Sequence, residues 1–158
     1  MPRFRCIPVD TATAERFRRT GQDDRGNTLR RRTADGNGGF PCRHCLQLAK
    51  AGEAMLLGSY DLPAPRGIYW TPSPVFLHAD PCPRYDMADE VAPIIRANPL
   101  VSVRAYDAED QCLYDLGQVC SGREAEAPLA RALDDPRTRF VNIHTARPGC
   151  LLARVERA

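Results

Sequence analysis

Apolar positions along this chain come in short runs punctuated by proline, glycine and charge, and each run predicts an element. Residues 4–9 read as a strand ended by Pro8. Asp10 and Thr11 then serve as good N-caps for a helix over residues 12–20, stopped by Gly21. Residues 22–40 are polar, with turn signals at Asp24-Arg25-Gly26-Asn27 and Asp35-Gly36-Asn37-Gly38-Gly39, and predict a mobile polar loop or a weak hairpin. Pro41 suits the first position of a helix over residues 42–50, stopped by Gly52. Residues 53–60, with Met55-Leu56-Leu57 inside, read as a strand. Residues 68–70 and 75–79 read as strand pieces bent by Pro72 and Pro74, which argues against a central, fully hydrogen-bonded place in a sheet.

Further along, residues 89–98 predict a helix with Pro93 near its first turn. Residues 100–106 and 111–119 flank Asp107-Ala108-Glu109-Asp110 as a hairpin. Residues 121–135 predict another helix, with Leu129 and Leu133 at i,i+4, and residues 139–144 and 150–155 a closing pair of strands around Arg147-Pro148-Gly149. The sum is an α+β fold: a single compact domain over residues 1–158, mainly antiparallel sheet with three to four short helices. No internal repeat and no linker long enough to separate two domains is evident.

Composition narrows the class. At 158 residues and 43% hydrophobic, the chain can build one ordinary core. No stretch reaches the ~18 apolar residues of a membrane span, and Met1-Pro2-Arg3-Phe4-Arg5-Cys6 lacks the apolar run of a secretory signal. Seven cysteines, an odd number, cannot pair completely within one molecule. Reduced thiols in a bacterial-type cytoplasm are the expectation, which makes metal binding or redox chemistry the natural use of paired cysteines.

The formal charge of +2 hides a skew. Lys50 is the lone lysine among 22 cationic residues, and so many arginines beside alanine and proline point to a GC-rich coding genome. Residues 1–32 carry nine arginines against Asp10, Glu15, Asp23 and Asp24. Such a segment attracts phosphate or an acidic partner through its field, or is simply a solvated basic loop. Missing interleaved aromatics and missing helix-turn-helix or RNA-binding signatures argue against nucleic acid, leaving a small anionic molecule or a protein as the expected partner.

The candidate chemistry sits in three clusters. Pro41-Cys42-Arg43-His44-Cys45 places two thiols three apart at the predicted helix start, where exposed N–H groups favour thiolate. The pair supplies half of a tetrahedral zinc site. His78-Ala79-Asp80-Pro81-Cys82-Pro83, a rigid bend after an apolar run, offers the other half, giving Cys42, Cys45, His78 and Cys82. Ordinary buried thiols with a satisfied histidine fit the same residues. His44, as a helical neighbour of Cys45, is expected to point elsewhere. Asp80 is where a zinc hydrolase would keep a proton shuttle, and otherwise is a turn residue before Pro81. In the third cluster His144 and Cys150 leave adjacent strands, with Arg147 able to hold an anion in a two-pronged hydrogen bond. Either could replace a member of the metal set, and Arg43 adds to the same anion-recognition surface. Cys6, Cys112 and Cys120 are assigned to packing.

These three clusters, Pro41 to Leu46, Pro74 to Cys82, and His144 to Leu151, resemble in order and spacing a bacterial family catalogued as domain of unknown function 1203, over residues 40–156. The resemblance implies that the clusters form one site and supplies no reaction. This chain has Asp80 where family members tend to have glutamate, and Thr145-Ala146-Arg147 where they often have Arg-Asn-Ala. A fainter similarity links His78-Ala79-Asp80 and the Pro41 to Cys45 run to zinc-dependent nucleobase deaminases, with the motif order reversed and aspartate for glutamate. The leading expectation is a small zinc-binding domain. The alternatives are a thiol redox protein using Cys42 and Cys45, and a zinc-dependent hydrolase.

Overall fold

The computed structural model describes residues 3–158; Met1 and Pro2, which open the stretch read above against a secretory signal, lie outside the described residues. The chain runs through β1 (Phe4–Ile7), α1 (Thr11–Thr20), β2 (Arg30–Thr33), β3 (Ala54–Asp61), β4 (Pro72–His78), α2 (Pro93–Arg96), β5 (Val101–Tyr106), β6 (Gln118–Cys120), α3 (Glu126–Asp134), β7 (Phe140–Thr145) and β8 (Leu151–Arg157). Two antiparallel sheets result, ordered β1-β8-β7-β5-β6 and β2-β3-β4. Together with the three helices they form a single compact α+β domain, as the element pattern implies.

The larger sheet is built around β7, whose apolar Val141 and Ile143 face Ala105 and Val103 of β5 on one side and Val155 and Ala153 of β8 on the other. α2 and α3 cover this face. Leu129 and Leu133, one turn apart on α3, are fully buried there, each contributing roughly 1.5–3 kcal/mol of apolar burial. The polar positions of the strand, Asn142 and His144, are buried on the opposite face. Asn142 Nδ2 donates to the Ala64 carbonyl and His144 Nδ1 to the Gly149 carbonyl.

A second core lies between the smaller sheet and α1, where Ala14 and Phe17 meet Met55, Val75 and Leu77. α1 begins as its sequence dictates. The Asp10 carboxylate accepts from Thr13 N, and Gly21, at φ 67°, closes the helix with a bond to the Phe17 carbonyl. β4 is an edge strand of its sheet, so Pro72 and Pro74 remove no bond from an interior ladder.

The structure corrects the helix expected after Pro41. Residues 42–50 form no helix: Pro41 and Leu48 bridge antiparallel, Cys42 N donates to the Gln47 carbonyl, and Leu46 N closes the turn onto the Cys42 carbonyl with Leu46 at φ 53°. The spacing of Cys42, Cys45, Leu46 and Ala49 mimics a helical face. Bonds to other elements decide against it: Val9 N donates to Arg43 O, Arg43 N to Phe76 O, and Tyr85 N to His44 O. Of the two readings of residues 22–40, the structure has the hairpin, with Gln22 and Thr28 bridged antiparallel. Asp23, 6% exposed, accepts from Arg25 N, Asn27 N and Ser59 N, and so fastens the turn to β3. Beyond it Arg30, Arg31 and Arg32 form the outermost strand, where charge protects an open edge from further pairing.

Smaller differences follow from local competition. Residues 67–69 and 114–116 make single 3-10 turns, and the helix expected over 89–98 keeps only Pro93–Arg96. Much of the basic amino-terminal charge is neutralised by ion pairs, Arg3 with Asp89, Arg5 with Asp86, Arg16 with Asp24 and Arg25 with Asp61.

Candidate metal centre

Three elements bring the candidate ligands together. The turn between Pro41 and Leu48 presents Cys42 and Cys45, the last residue of β4 presents His78, and the proline-flanked bend after it presents Cys82. A parallel bridge between Cys42 and Phe76 locks the turn to β4. One ligand atom from each of Cys42, Cys45, His78 and Cys82 lies within 4.8 Å of all the others. Cys42 Sγ and Cys82 Sγ are 3.9 Å apart, and Cys45 Sγ is 3.5 Å from His78 Nδ1.

The electrostatics of the thiols reflect this crowding. Hydrogen bonds from the Cys45 and Cys82 side chains, helped by the backbone N–H of Cys45 and His78, hold Cys42 far below the usual thiol range although it is fully buried. Their hydrogen bonds to Cys42, then burial and the charge on Cys42, in turn push Cys45 and Cys82 up. One thiolate is thus favoured and its neighbours keep their protons; a cation at the shared centre would release all of them. The helix dipole expected to activate Cys42 has no counterpart; the Cys45 and Cys82 side chains favour its thiolate, with a smaller contribution from the His78 backbone N–H 3.4 Å from its sulfur.

Around the four lies a shell that the spacing of cysteines and histidines does not reveal. Glu53, at the entry to β3, accepts from His78 Nε2 at 2.9 Å, so the ring's free lone pair is on Nδ1, facing the thiols. Burial pulls the His78 imidazole down, but Glu53 and the Cys42 charge outweigh it and raise it overall. Arg18 on α1 reaches across with Nε to the His78 carbonyl at 3.0 Å and Nη2 to Cys82 Sγ at 3.4 Å. The His44 ring, 1% exposed, stands between Thr11 Oγ1 and Cys82 Sγ, which is 3.2 Å from Nδ1. It does approach the cluster, from outside the four, because the turn directs it there where a helix would not.

The other sequence-level candidates are dispersed. Asp80 is exposed on the rim of an open cleft of about 370 Å³ beside Cys45, Glu53 and His78. Arg43 is 3% exposed, and its guanidinium donates to the Pro41 and Leu151 carbonyls, stitching the turn to β8. His144 belongs to the buried face of the large sheet; burial, with the charges of Arg104 and Arg43, lowers it to about 4. Arg147 is exposed in the turn after β7, and Cys150 N donates to Thr145 Oγ1 in the same turn. The first two clusters meet; the third is joined to them through Leu151, which packs in the same small core and accepts from Arg43.

A family model described as a protein of unknown function (DUF1203) matches residues 39–157. The chain belongs to that family. The DUF1203 stretch includes Cys42, Cys45, Glu53, His78 and Cys82, whereas Thr11 and Arg18 precede it. No curated protein and no solved structure matches the chain. Among the described residues, no helix is long and apolar enough to cross a membrane.

Proposed function

We propose that this DUF1203 protein is a small cytoplasmic zinc-binding domain in which Cys42, Cys45, His78 and Cys82 hold one structural ion. The carrying observation is the spacing of the four ligand atoms. A tetrahedral zinc ion with Zn–S near 2.3 Å and Zn–N near 2.1 Å sets its sulfurs about 3.8 Å apart and a sulfur and nitrogen about 3.6 Å apart. The corresponding separations are 3.9 Å for Cys42 and Cys82 and 3.5 Å for Cys45 and His78. Soft sulfur ligands with one imidazole suit zinc among divalent ions.

A set of four protein ligands leaves no position for water, so the ion closes a structure and does not act as a Lewis acid. It fastens the Pro41 turn, β3 through Glu53, and the bend after β4 to one point. Three thiolates and a neutral imidazole around a divalent ion carry one negative charge, which Arg18 offsets beside Cys82. Reduced thiols of this kind fit a reducing compartment.

Metal analysis of protein purified without chelators tests the reading. About one zinc per chain is expected, lost on replacing Cys42 and Cys45 by serine. Fully folded protein that carries no metal and binds none on titration overturns it.

A further inference from the structure

A second cavity, of about 250 Å³, opens between the sheets and shares no lining residue with the cleft at the metal centre. Its walls are aliphatic, from Ile7 and Val9 at one side, Leu62 at the end of β3, and Leu151 and Leu152 at the start of β8. Four polar residues interrupt that lining: Asp10, Tyr60, Asn142 and Arg154.

What these four have left to offer determines the ligand. Asp10 is committed, its two oxygens accepting from Thr13 N and Thr13 Oγ1 at the start of α1. Asn142 gives one amide hydrogen to the Ala64 carbonyl and retains a second. Arg154 forms an ion pair with Glu156, in which its buried Nε makes no hydrogen bond, and its terminal nitrogens are left. Tyr60 is 7% exposed as a residue, and its hydroxyl, which makes no hydrogen bond among the described residues, keeps accessible surface on the cavity wall. Burial pushes Tyr60 up to about 12, so at neutral pH it is a donor. The uncommitted groups are thus mainly donors, and one carries a positive charge. Behind Arg154 lies a polar cleft in which Arg66 and Arg139 are balanced by Asp110 and Glu156, so the positive charge available to the cavity is that of Arg154.

We propose that this cavity binds a small molecule with an aliphatic body and a single carboxylate. The carboxylate accepts from Tyr60 Oη and the Arg154 guanidinium, and the body lies along Leu62 and Leu151. Asp10, the acid among the lining residues, keeps its charge, but both its oxygens are turned to Thr13 at the start of α1, so an ammonium group meets no carboxylate oxygen without a hydrogen bond on this wall. The proposal does not depend on the zinc reading, since none of the four ligands touches the cavity.

The test titrates the full chain, as purified, with octanoate, octanol and octylamine, following heat and the methyl resonances of Leu62 and Leu151. Octanoate is expected to saturate with shifts confined to these walls, octanol to bind roughly tenfold more weakly, and octylamine more weakly still. Tyr60→Phe should weaken octanoate about fivefold and Arg154→Gln about tenfold or more, in line with loss of a neutral and a charge-assisted hydrogen bond. No saturable shift with octanoate, equal affinity for the three probes, or octanoate affinity unchanged in both variants overturns the proposal. If Arg154→Gln does not fold, the comparison of probes on the unaltered chain decides.

Discussion

Glu53 Oε2 sits 2.9 Å from His78 Nε2, on the edge of the imidazole remote from the thiols. That contact fixes the tautomer: the carboxylate takes the Nε2–H, and Nδ1 is left as a donor to a cation. Glu53 also accepts from Lys50 N at 2.7 Å, so its own position is set by the turn before β3. Glu53→Gln keeps the shape and removes the charge. Zinc affinity, measured by competition with a chromophoric chelator, should fall about 10- to 100-fold while the stoichiometry stays near one. Unchanged affinity would mean that His78 is not a ligand through Nδ1.

Removal of the ion should loosen the small core first. Cys42 and Cys45 are buried beside Met55, Val75 and Leu77, and the turn carrying them has one helical-type hydrogen bond, from Leu46 N to the Cys42 carbonyl, and is otherwise held by other elements. Chelation at neutral pH should therefore lower the melting temperature and speed hydrogen exchange at Arg43 and His78, whose amides pair across the turn and β4, before exchange at β7 rises. Cys82→Ser should show the same pattern without chelator. Uniform exchange across both sheets after chelation would place the ion outside the folding of this region.

The fold was legible where one local signal sufficed. The cap at Asp10, the glycine stop at Gly21 and the apolar runs of β3, β5, β7 and β8 locate their elements to within a residue or two. The cluster of Cys42, Cys45, His78 and Cys82 was legible because thiols and imidazoles are rare and their spacing is short. Failure came where distant partners decide. The Pro41 turn has the periodicity of a helix, and only bonds to Val9, Phe76 and Tyr85 make it a turn. Asp23 looks like any polar loop residue until Ser59, far along the chain, donates to it. Glu53 and Arg18 follow no motif: a carboxylate after a glycine turn and an arginine in a last helical turn are common, and their role arises from the pairing of elements separated in sequence.

Arg43 gives a prediction about stability rather than metal. Its guanidinium donates at 2.7 Å to both the Leu151 and Pro41 carbonyls, and is the polar tie between the turn and the large sheet. Arg43→Met fills similar space but leaves two buried carbonyls without donors, which should cost roughly 3 kcal/mol in urea unfolding of the zinc-loaded protein. Arg43→Lys should recover only part of that, since an ammonium cannot match the planar fork. A loss below about 0.5 kcal/mol would show that water replaces the guanidinium freely.

His144 should make stability depend on pH in a defined window. Burial, then the nearby charges of Arg104 and Arg43, lower its folded value to about 4, while an unfolded histidine titrates near 6.5. Between those values the unfolded chain holds a proton that the folded chain does not, so stability rises with pH across the window and falls as pH drops toward 4. The full span corresponds to about 3 kcal/mol, an upper figure for a group 3% exposed. Acid also displaces metal from thiolates, so the comparison is between the unaltered chain and His144→Gln at each pH, both stripped of metal. The glutamine amide can still donate to the Gly149 carbonyl, preserving the bond that His144 Nδ1 makes. The stability difference between the two proteins should stay constant above pH 7 and shift in favour of His144→Gln as pH falls from 6.5 to 4. A difference that does not change over that interval would mean that the imidazole charges in the folded protein as readily as in the unfolded one.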